Sequence, residues 1–422
     1  MSYFRNGMMI NRKKAMFVTW DGPQNDYLEA LFLPVFSELG ENGWEFHILQ
    51  FSWGVTPSWL TDVQKLFGPH VRVHRAKVWK GFPLAELAFL LARAPWIILR
   101  QVQSSRADVI VARSIVPAIA VAALGKKLRP PIVYDADGLW IDERIEAGDM
   151  NAGGLRHQAL RFCELKILGV ARVVLSRTTE GSMVLEHRAG SNKNLAFLVT
   201  PYARKSSPIG SPHYNRGGKN EESRSPTVCY LGSVGAQYKP ETMFTLAVSL
   251  KRHLKDLKFR VFTGDQKATS DALLALGLER ERWITVERLR PDQIHHELSS
   301  CDFALAFREL SFSSQAVFPV KIYDYLLAGL PIVGTVINSD LQKLVERGVF
   351  LSSDGLNHEE VGEWIAAKLA NGGNSSQQSR NAASELFSFS SAVALLGQAL
   401  SFSLTSHVNN AFSPRDAKTK AS

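Results

Sequence analysis

Cysteine is scarce in this chain: only Cys163, Cys229 and Cys301 occur in 422 residues. They lie far apart, with neither the paired spacing of a zinc site nor the even count of a disulfide framework, so a reducing cytoplasm is the expected setting. Long apolar runs are missing too. The most apolar stretch, Val78 to Val102, is punctuated by Lys80, Arg93, Pro95 and Arg100, whereas a bilayer-spanning helix needs about 20 apolar residues. Near the amino terminus, charges stand on both sides of the short run Met8-Met9-Ile10, which is too short for a signal peptide. Acidic residues are in deficit, 40 Asp and Glu against 49 Lys and Arg, for a net charge of +9. That balance favours an anionic partner: a nucleotide, a nucleic acid or a lipid surface. No RNA-binding signature or basic low-complexity run supports nucleic acid, which ranks last.

What is present is an α/β alternation, in a length that suits two domains of about 200 residues. Strands are expected at Ala15 to Trp20, Phe46 to Phe51, Ala107 to Ala112, Ile132 to Tyr134, Arg172 to Ser176 and Leu195 to Val199, with helices between them. About six parallel strands would form a first domain over 1–202. Residues 203–226 are rich in Ser, Pro, Gly and charge without periodicity and are expected to be a linker or surface loop. The pattern restarts at Thr227 to Leu231 and continues through Phe259 to Thr263, Ile284 to Glu287 and Phe303 to Phe307, giving a second domain over 227–380. A final helix over 381–403 and a disordered tail over 404–422 complete the expectation.

The densest local signal is Ala316 to Val336, A-V-F-P-V-K-I-Y-D-Y-L-L-A-G-L-P-I-V-G-T-V. Pro319 suits a helix start, Gly329 a left-handed residue just past its end, and Pro331 blocks continuation. A short helix near Pro319 to Ala328 and a strand over Ile332 to Val336 follow. Lys321 and Asp324, three residues apart, then neighbour each other on one face. A helix start with a nearby cation can hold a phosphate, and a carboxylate can accept both hydroxyls of a ribose. The competing reading is a capped surface helix with an ordinary exposed Lys–Asp pair. Strand ends at Gly232, Gly264 and Arg308 would gather on one sheet edge, where open α/β sheets bind ligands.

The run F-P-x-K-x-x-D-Y-x-x-A-G-x-P-I-V resembles the donor-site motif of the retaining nucleotide-sugar glycosyltransferases of the GT-B fold, the glycosyl transferases group 1 or family 4 type. The resemblance implies two Rossmann-like domains facing across a cleft and transfer of a sugar from a nucleoside-diphosphate sugar to a hydroxyl acceptor. It implies retention of configuration and no metal or other cofactor. Asp324 would hold the donor ribose, and the turn Val317, Phe318, Pro319 to Lys321 the diphosphate. Gly232 and Lys239 match the family's first turn in the donor domain, where Ser233 replaces the usual Arg; Arg308 could restore that charge. Gly22, in the first βα turn, would let the diphosphate and sugar approach, and Arg113 stands where relatives carry a cleft histidine or arginine. From the residues alone, Arg113 could equally pair with Asp135 or Asp137. Ala316 stands where many members have a second Glu, and Asp137 where one bacterial branch commonly has Arg, which points to a different acceptor.

The pair Asp135 and Asp137 is not expected to bind a divalent metal, since such a site needs further converging ligands. Val78 to Val102, with Trp79, Phe82 and Trp96 among its cations, reads either as a core helix or as a membrane-interface segment. The latter favours a saccharide or lipid-linked acceptor in cell-surface polysaccharide or glycolipid synthesis, with the protein cytoplasmic or peripheral on the inner face of the membrane. Two other readings stay open: a nucleotide-sugar epimerase of the same fold, and a non-catalytic sugar-nucleotide-binding protein.

Overall fold

The computed structural model describes residues 12–21, 28–53, 68–78, 88–192, 194–200, 202, 225–254, 256–290 and 293–405. The Gly22 turn, Trp79 to Phe82, most of the expected linker and the tail beyond residue 405 lie outside them. The chain divides into two units, one of Met1–Arg177, Gly181–Thr200 and Phe389–Ser422, the other of Thr178–Glu180 and Pro201–Ser388.

The first unit contains β1 (Lys13–Trp20), α1 (Leu33–Glu41), β2 (Trp44–Ser52), β3 (Val71–Lys77), α2 (Ala94–Ser105), β4 (Val109–Arg113), α3 (Ile115–Ala122), β5 (Ile132–Asp135), α4 (Trp140–Glu146), α5 (Leu155–Val170), β6 (Val173–Ser176), α6 (Thr179–Ala189) and β7 (Ala196–Val199). Its seven strands run parallel in the order β3-β2-β1-β4-β5-β6-β7. Every residue of β4, β5 and β6 is buried, the near-continuous apolar texture of strands covered on both faces. The strand β3 escaped the sequence reading because its text, V-R-V-H-R-A-K, is largely charged: it is an edge strand that buries mainly Val71 and Val73. Pro95, expected to interrupt the helix, instead occupies the first turn of α2, directly after a π-helical turn, Phe89–Arg93. The backbone stays helical through Arg93 and Ala94, so the proline removes one donor from a continuous run, and the widened π turn before it is where the regular α-helical pattern is interrupted.

The second unit contains β8 (Thr227–Leu231), α7 (Pro240–His253), β9 (Lys258–Phe262), α8 (Gln266–Ala275), β10 (Ile284–Glu287), α9 (Ile294–Ser299), β11 (Phe303–Ala306), α10 (Val320–Ala328), β12 (Ile332–Gly334), α11 (Ser339–Glu346), β13 (Phe350–Ser352), α12 (His358–Ala370) and α13 (Gly372–Leu386). Its six parallel strands follow the order β10-β9-β8-β11-β12-β13. The expected strand over Ile332 to Val336 is shorter, ending at Gly334. The helix expected over 381–403 is two helices, α13 and then α14 (Phe389–Ser403), separated where Phe387 adopts φ −137°. The stretch Asn374–Ser403 passes a length-and-hydropathy test for crossing a membrane, yet it is broken at that point, and α14 packs on α1, β5 and β6.

In each sheet the strand order reverses once, between β1 and β4 and between β8 and β11. Crevices open at such switch points beyond the carboxyl ends of the strands. In the second unit, β12 lies unusually close to its neighbour: a Cβ on Gly334 would sit 2.0 Å from the Ala306 carbonyl oxygen. The Gly334→Ala variant should therefore lose about 2–3 kcal/mol, read as a melting temperature several degrees lower; unchanged melting would contradict this approach.

Candidate functional site

The carboxyl edge of the second sheet is assembled around α10. Pro319 caps the helix with φ −67°, no side chain caps its start, and Gly329 ends it in the left-handed region at φ 81°. The helix is fixed by Tyr325: its hydroxyl donates to the Leu305 carbonyl at 3.2 Å and accepts from the Leu231 N–H at 2.6 Å. One side chain thus ties α10 to β8 and β11, the strands that flank the switch point. The approach to the helix is pinned from the other side. Asn338 donates to the Val317 carbonyl at 2.9 Å while capping α11 through Leu341 N–H at 3.0 Å. Phe318 is buried against Phe387, with ring centroids 4.4 Å apart.

Lys321 sits in the first turn of this uncapped helix. Its stem is partly exposed, but Nζ is buried and has no hydrogen-bond partner among the described residues. The ammonium group lies over two rings, 4.0 Å from the centroid of Tyr230 and 4.7 Å from that of Tyr238. Gly232, at φ 121°, leaves room for it: a Cβ there would stand 3.1 Å from Nζ. Two π faces replace part of the hydration of the cation but supply no anion. Burial, with repulsion from Arg308, pushes its pKa down from 10.5 to about 7. The exposed Lys–Asp pair that the sequence allowed is not formed.

The other expected donor-site residues fall around this point unevenly. Arg308, at the end of β11, stacks over Tyr238 at 5.6 Å and lines one small cavity with Lys321, Pro319 and Thr335. Lys239 is held in the left-handed region at φ 46° at the start of α7 and lines a neighbouring cavity that shares Phe307 and Thr335. Ser233 is exposed, and its carbonyl accepts from the Tyr230 hydroxyl at 2.5 Å. Gly264 is also exposed; beside it Asp265 accepts from the Val234 N–H at 3.2 Å, joining the β8 and β9 turns. Asp324 is 1% exposed on the second turn of α10. Ala316 is fully buried. The structure therefore brings together Gly232, Arg308, Pro319 and Lys321, with Lys239 at the adjoining cavity. Tyr230 and Tyr238, which cage the lysine, were missed by the sequence reading.

In the first unit the switch point carries a chain of charges. Arg113, from the end of β4, pairs with Asp21 after β1 at 3.1 Å and with Asp137 after β5 at 2.8 Å. Arg177, after β6, pairs with Asp135, lies 3.8 Å from Asp137 and donates to the Thr200 carbonyl at 2.8 Å. Asp21 and Arg177 were not foreseen, because each lies just past a strand whose partners are distant in sequence. Burial raises the Asp135 carboxyl above its usual range against the pull of Arg177. Asp135 and Asp137 thus face guanidinium groups, and among the described residues no three His, Cys, Asp or Glu side chains are grouped to hold a metal. Ser114 and Asp137, both with positive φ (69° and 56°), flank this edge; such strain often collects at functional sites.

Residues 32–181 match the family model of the glycosyl transferase 4-like domain. No curated protein matches the chain in sequence. Among solved structures, sucrose-phosphate synthase from Thermosynechococcus elongatus superposes over 92% of this chain and 98% of its own, at 12% identity and TM-score 0.67. Anabaena HepE in complex with UDP and glucose covers 92% of this chain and 100% of its own, at 15% identity and TM-score 0.66. A putative UDP-N-acetylglucosamine 2-epimerase from Listeria monocytogenes covers 92% and 95%, at 15% identity and TM-score 0.57. The chain has the GT-B fold, and the expected resemblance to group 1 glycosyltransferases is borne out in fold and, over 32–181, in sequence.

The lysine makes a pH prediction. Between pH 7 and 10.5 the unfolded chain binds a proton at Lys321 that the folded chain lacks, so this group's contribution to stability rises with pH across that window and is flat below it. A diphosphate beside Nζ would raise the pKa again, so binding takes up a proton. Affinity for a nucleoside diphosphate should be constant below about pH 7 and fall by up to roughly tenfold per pH unit above it. Calorimetry in buffers of different ionisation enthalpy should show that uptake in the wild type and none in Lys321→Met.

Proposed function

We propose that the chain moves a sugar from a nucleoside-diphosphate sugar to an acceptor hydroxyl with retention of configuration. The observation that carries the reading is Lys321: a buried amine without a hydrogen-bond partner among the described residues, in the first turn of a helix whose start has no side-chain cap. A diphosphate suits both features, offering charge to the lysine and oxygens to N–H groups of the first turn. In the proposed reaction the bond from the anomeric carbon to the diphosphate oxygen breaks, and both electrons leave with that oxygen. Lys321, Arg308 and Lys239 hold the developing charge electrostatically. The acceptor oxygen bonds to the anomeric carbon, and its proton passes to the departing phosphate oxygen on the same face. Double displacement is not proposed, since no carboxylate pair stands out as nucleophile and acid.

Asp324 is proposed to accept the ribose hydroxyls, with Val317 to Pro319, Gly232, Ser233, Gly264 and Gly22 shaping the donor site and Arg113 serving the acceptor side. The acceptor is proposed to be a saccharide or a lipid-linked saccharide of cell-surface polymers, glycosylated at the cytoplasmic face of the membrane without a metal. HepE was solved with UDP-glucose, which makes uridine nucleotides the first probes. Structures described as glycosyltransferases and one described as a putative epimerase both resemble this chain, so products decide between them.

In a thermal-shift panel of nucleoside diphosphates and nucleotide sugars, one clear stabiliser is expected, with donor binding weakened tenfold or more in Asp324→Ala and in Asp324→Asn. Unchanged affinity in a folded Asp324→Asn protein would confine that carboxylate to helix packing. Sugar released or isomerised without an acceptor would replace the transferase reading with the epimerase one.

A further inference from the structure

We infer that the outer helical layer of the first unit is a docking surface for an anionic lipid bilayer. The helices α2, α3 and α5 lie side by side, α3 packing on both neighbours. The connections from β3 to β4, β4 to β5 and β5 to β6 all step in one direction across the sheet, and right-handed crossovers then put these helices on a single face. The outward side of this layer is apolar where a soluble surface is polar. Leu155 is 87% exposed, Phe162 58% and Trp96 55%, with Leu91, Leu128 and Leu165 also among the large exposed apolar side chains. Six of the eleven such residues in the described structure fall on this layer or the loop after α3. On α5 they do not mark a core stripe, because the core-facing positions of that helix are Glu164, Ile167 and Leu168.

Charge selects the occupant. Over 88–106, 123–131 and 155–170 the exposed charged residues are Arg93, Arg100, Arg106, Lys126, Lys127, Arg156 and Lys166, and none is acidic. The carboxylate within these spans, Glu164, is buried and paired with Arg161 and Arg188. Two of the cations sit over the exposed rings: Arg100 lies 4.9 Å from the centroid of Trp96, and Lys166 5.1 Å from that of Phe162. Apolar bodies with cationic tips suit the boundary between acyl chains and anionic headgroups, and the exposed carboxylates of this crossover, Glu146 and Asp149, are confined to the end of α4 and the turn after it, where Asp149 pairs with Arg144. A protein partner would instead be met by matched charges of both signs. This inference does not depend on the donor site, which lies in the other unit.

The test is sedimentation of the full-length protein with vesicles of phosphatidylcholine alone and of phosphatidylcholine with phosphatidylglycerol. Binding is expected only to the anionic vesicles, weakening at high salt. Lys166→Glu and Arg100→Glu should each lower partitioning at least about fivefold, and Leu155→Asp with Phe162→Ser should abolish it. The control Leu274→Asp, at an exposed leucine of the other unit, should leave it intact. Thermal melting and circular dichroism of the same variants verify their fold without any nucleotide, which keeps this result separate from the donor reading. Absence of wild-type binding to anionic vesicles would overturn the inference, as would binding that survives the α5 changes. A self-associated wild type made monomeric by Leu155→Asp and Phe162→Ser would overturn it too, assigning the face to a second copy of the chain.

Discussion

The candidate donor site depends on an amine that folding has deprived of a counter-charge. Burying a cation without an anion is costly, and proteins usually answer by pairing it or by lowering its pKa. Around Lys321 the second answer is visible, with its pKa pushed down to about 7. The surrounding framework holds this condition in place. Tyr325 locks α10 to β8 and β11, Gly232 clears space beside Nζ, and Tyr230 and Tyr238 provide π faces but no negative charge. An anion with several oxygens would relieve the cost that these contacts leave, which is the basis of the proposed diphosphate preference.

The same topology is used twice, with opposite electrostatics. In the second sheet the switch point gathers Lys321, Arg308 and Lys239 around two cavities. In the first, Asp21, Asp135 and Asp137 surround Arg113 and Arg177, and three carboxylates against two guanidinium groups leave no surplus cation. Among the described residues, surplus positive charge therefore gathers at one edge only.

Much of the fold was legible because it is written in local signals. Pro319 and Gly329 delimited α10, and the buried strands declared themselves as short apolar runs between turns. Edge strand β3 did not, because its charged alternate positions follow from having a neighbour on one side only. The final helix was read as continuous because no proline or glycine marks Phe387. At the site, Lys321, Arg308 and Gly232 were readable as strand-end and helix-start residues. Their arrangement was not: the cage comes from tyrosines more than 80 positions earlier in the chain, and the partners of Arg113 stand just past the ends of two other strands. Exposure of Leu155 and Phe162 was equally hidden, since a helical apolar stripe reads the same whether or not a neighbour covers it.

The most direct measurement is a crystal structure of the protein with a bound nucleoside diphosphate, uridine diphosphate first. The account predicts the diphosphate at the start of α10, with Lys321 Nζ withdrawn from the tyrosine rings to within hydrogen-bond distance of a phosphate oxygen and Arg308 beside it. A nucleotide bound elsewhere, with Lys321 still enclosed by Tyr230 and Tyr238, would contradict it.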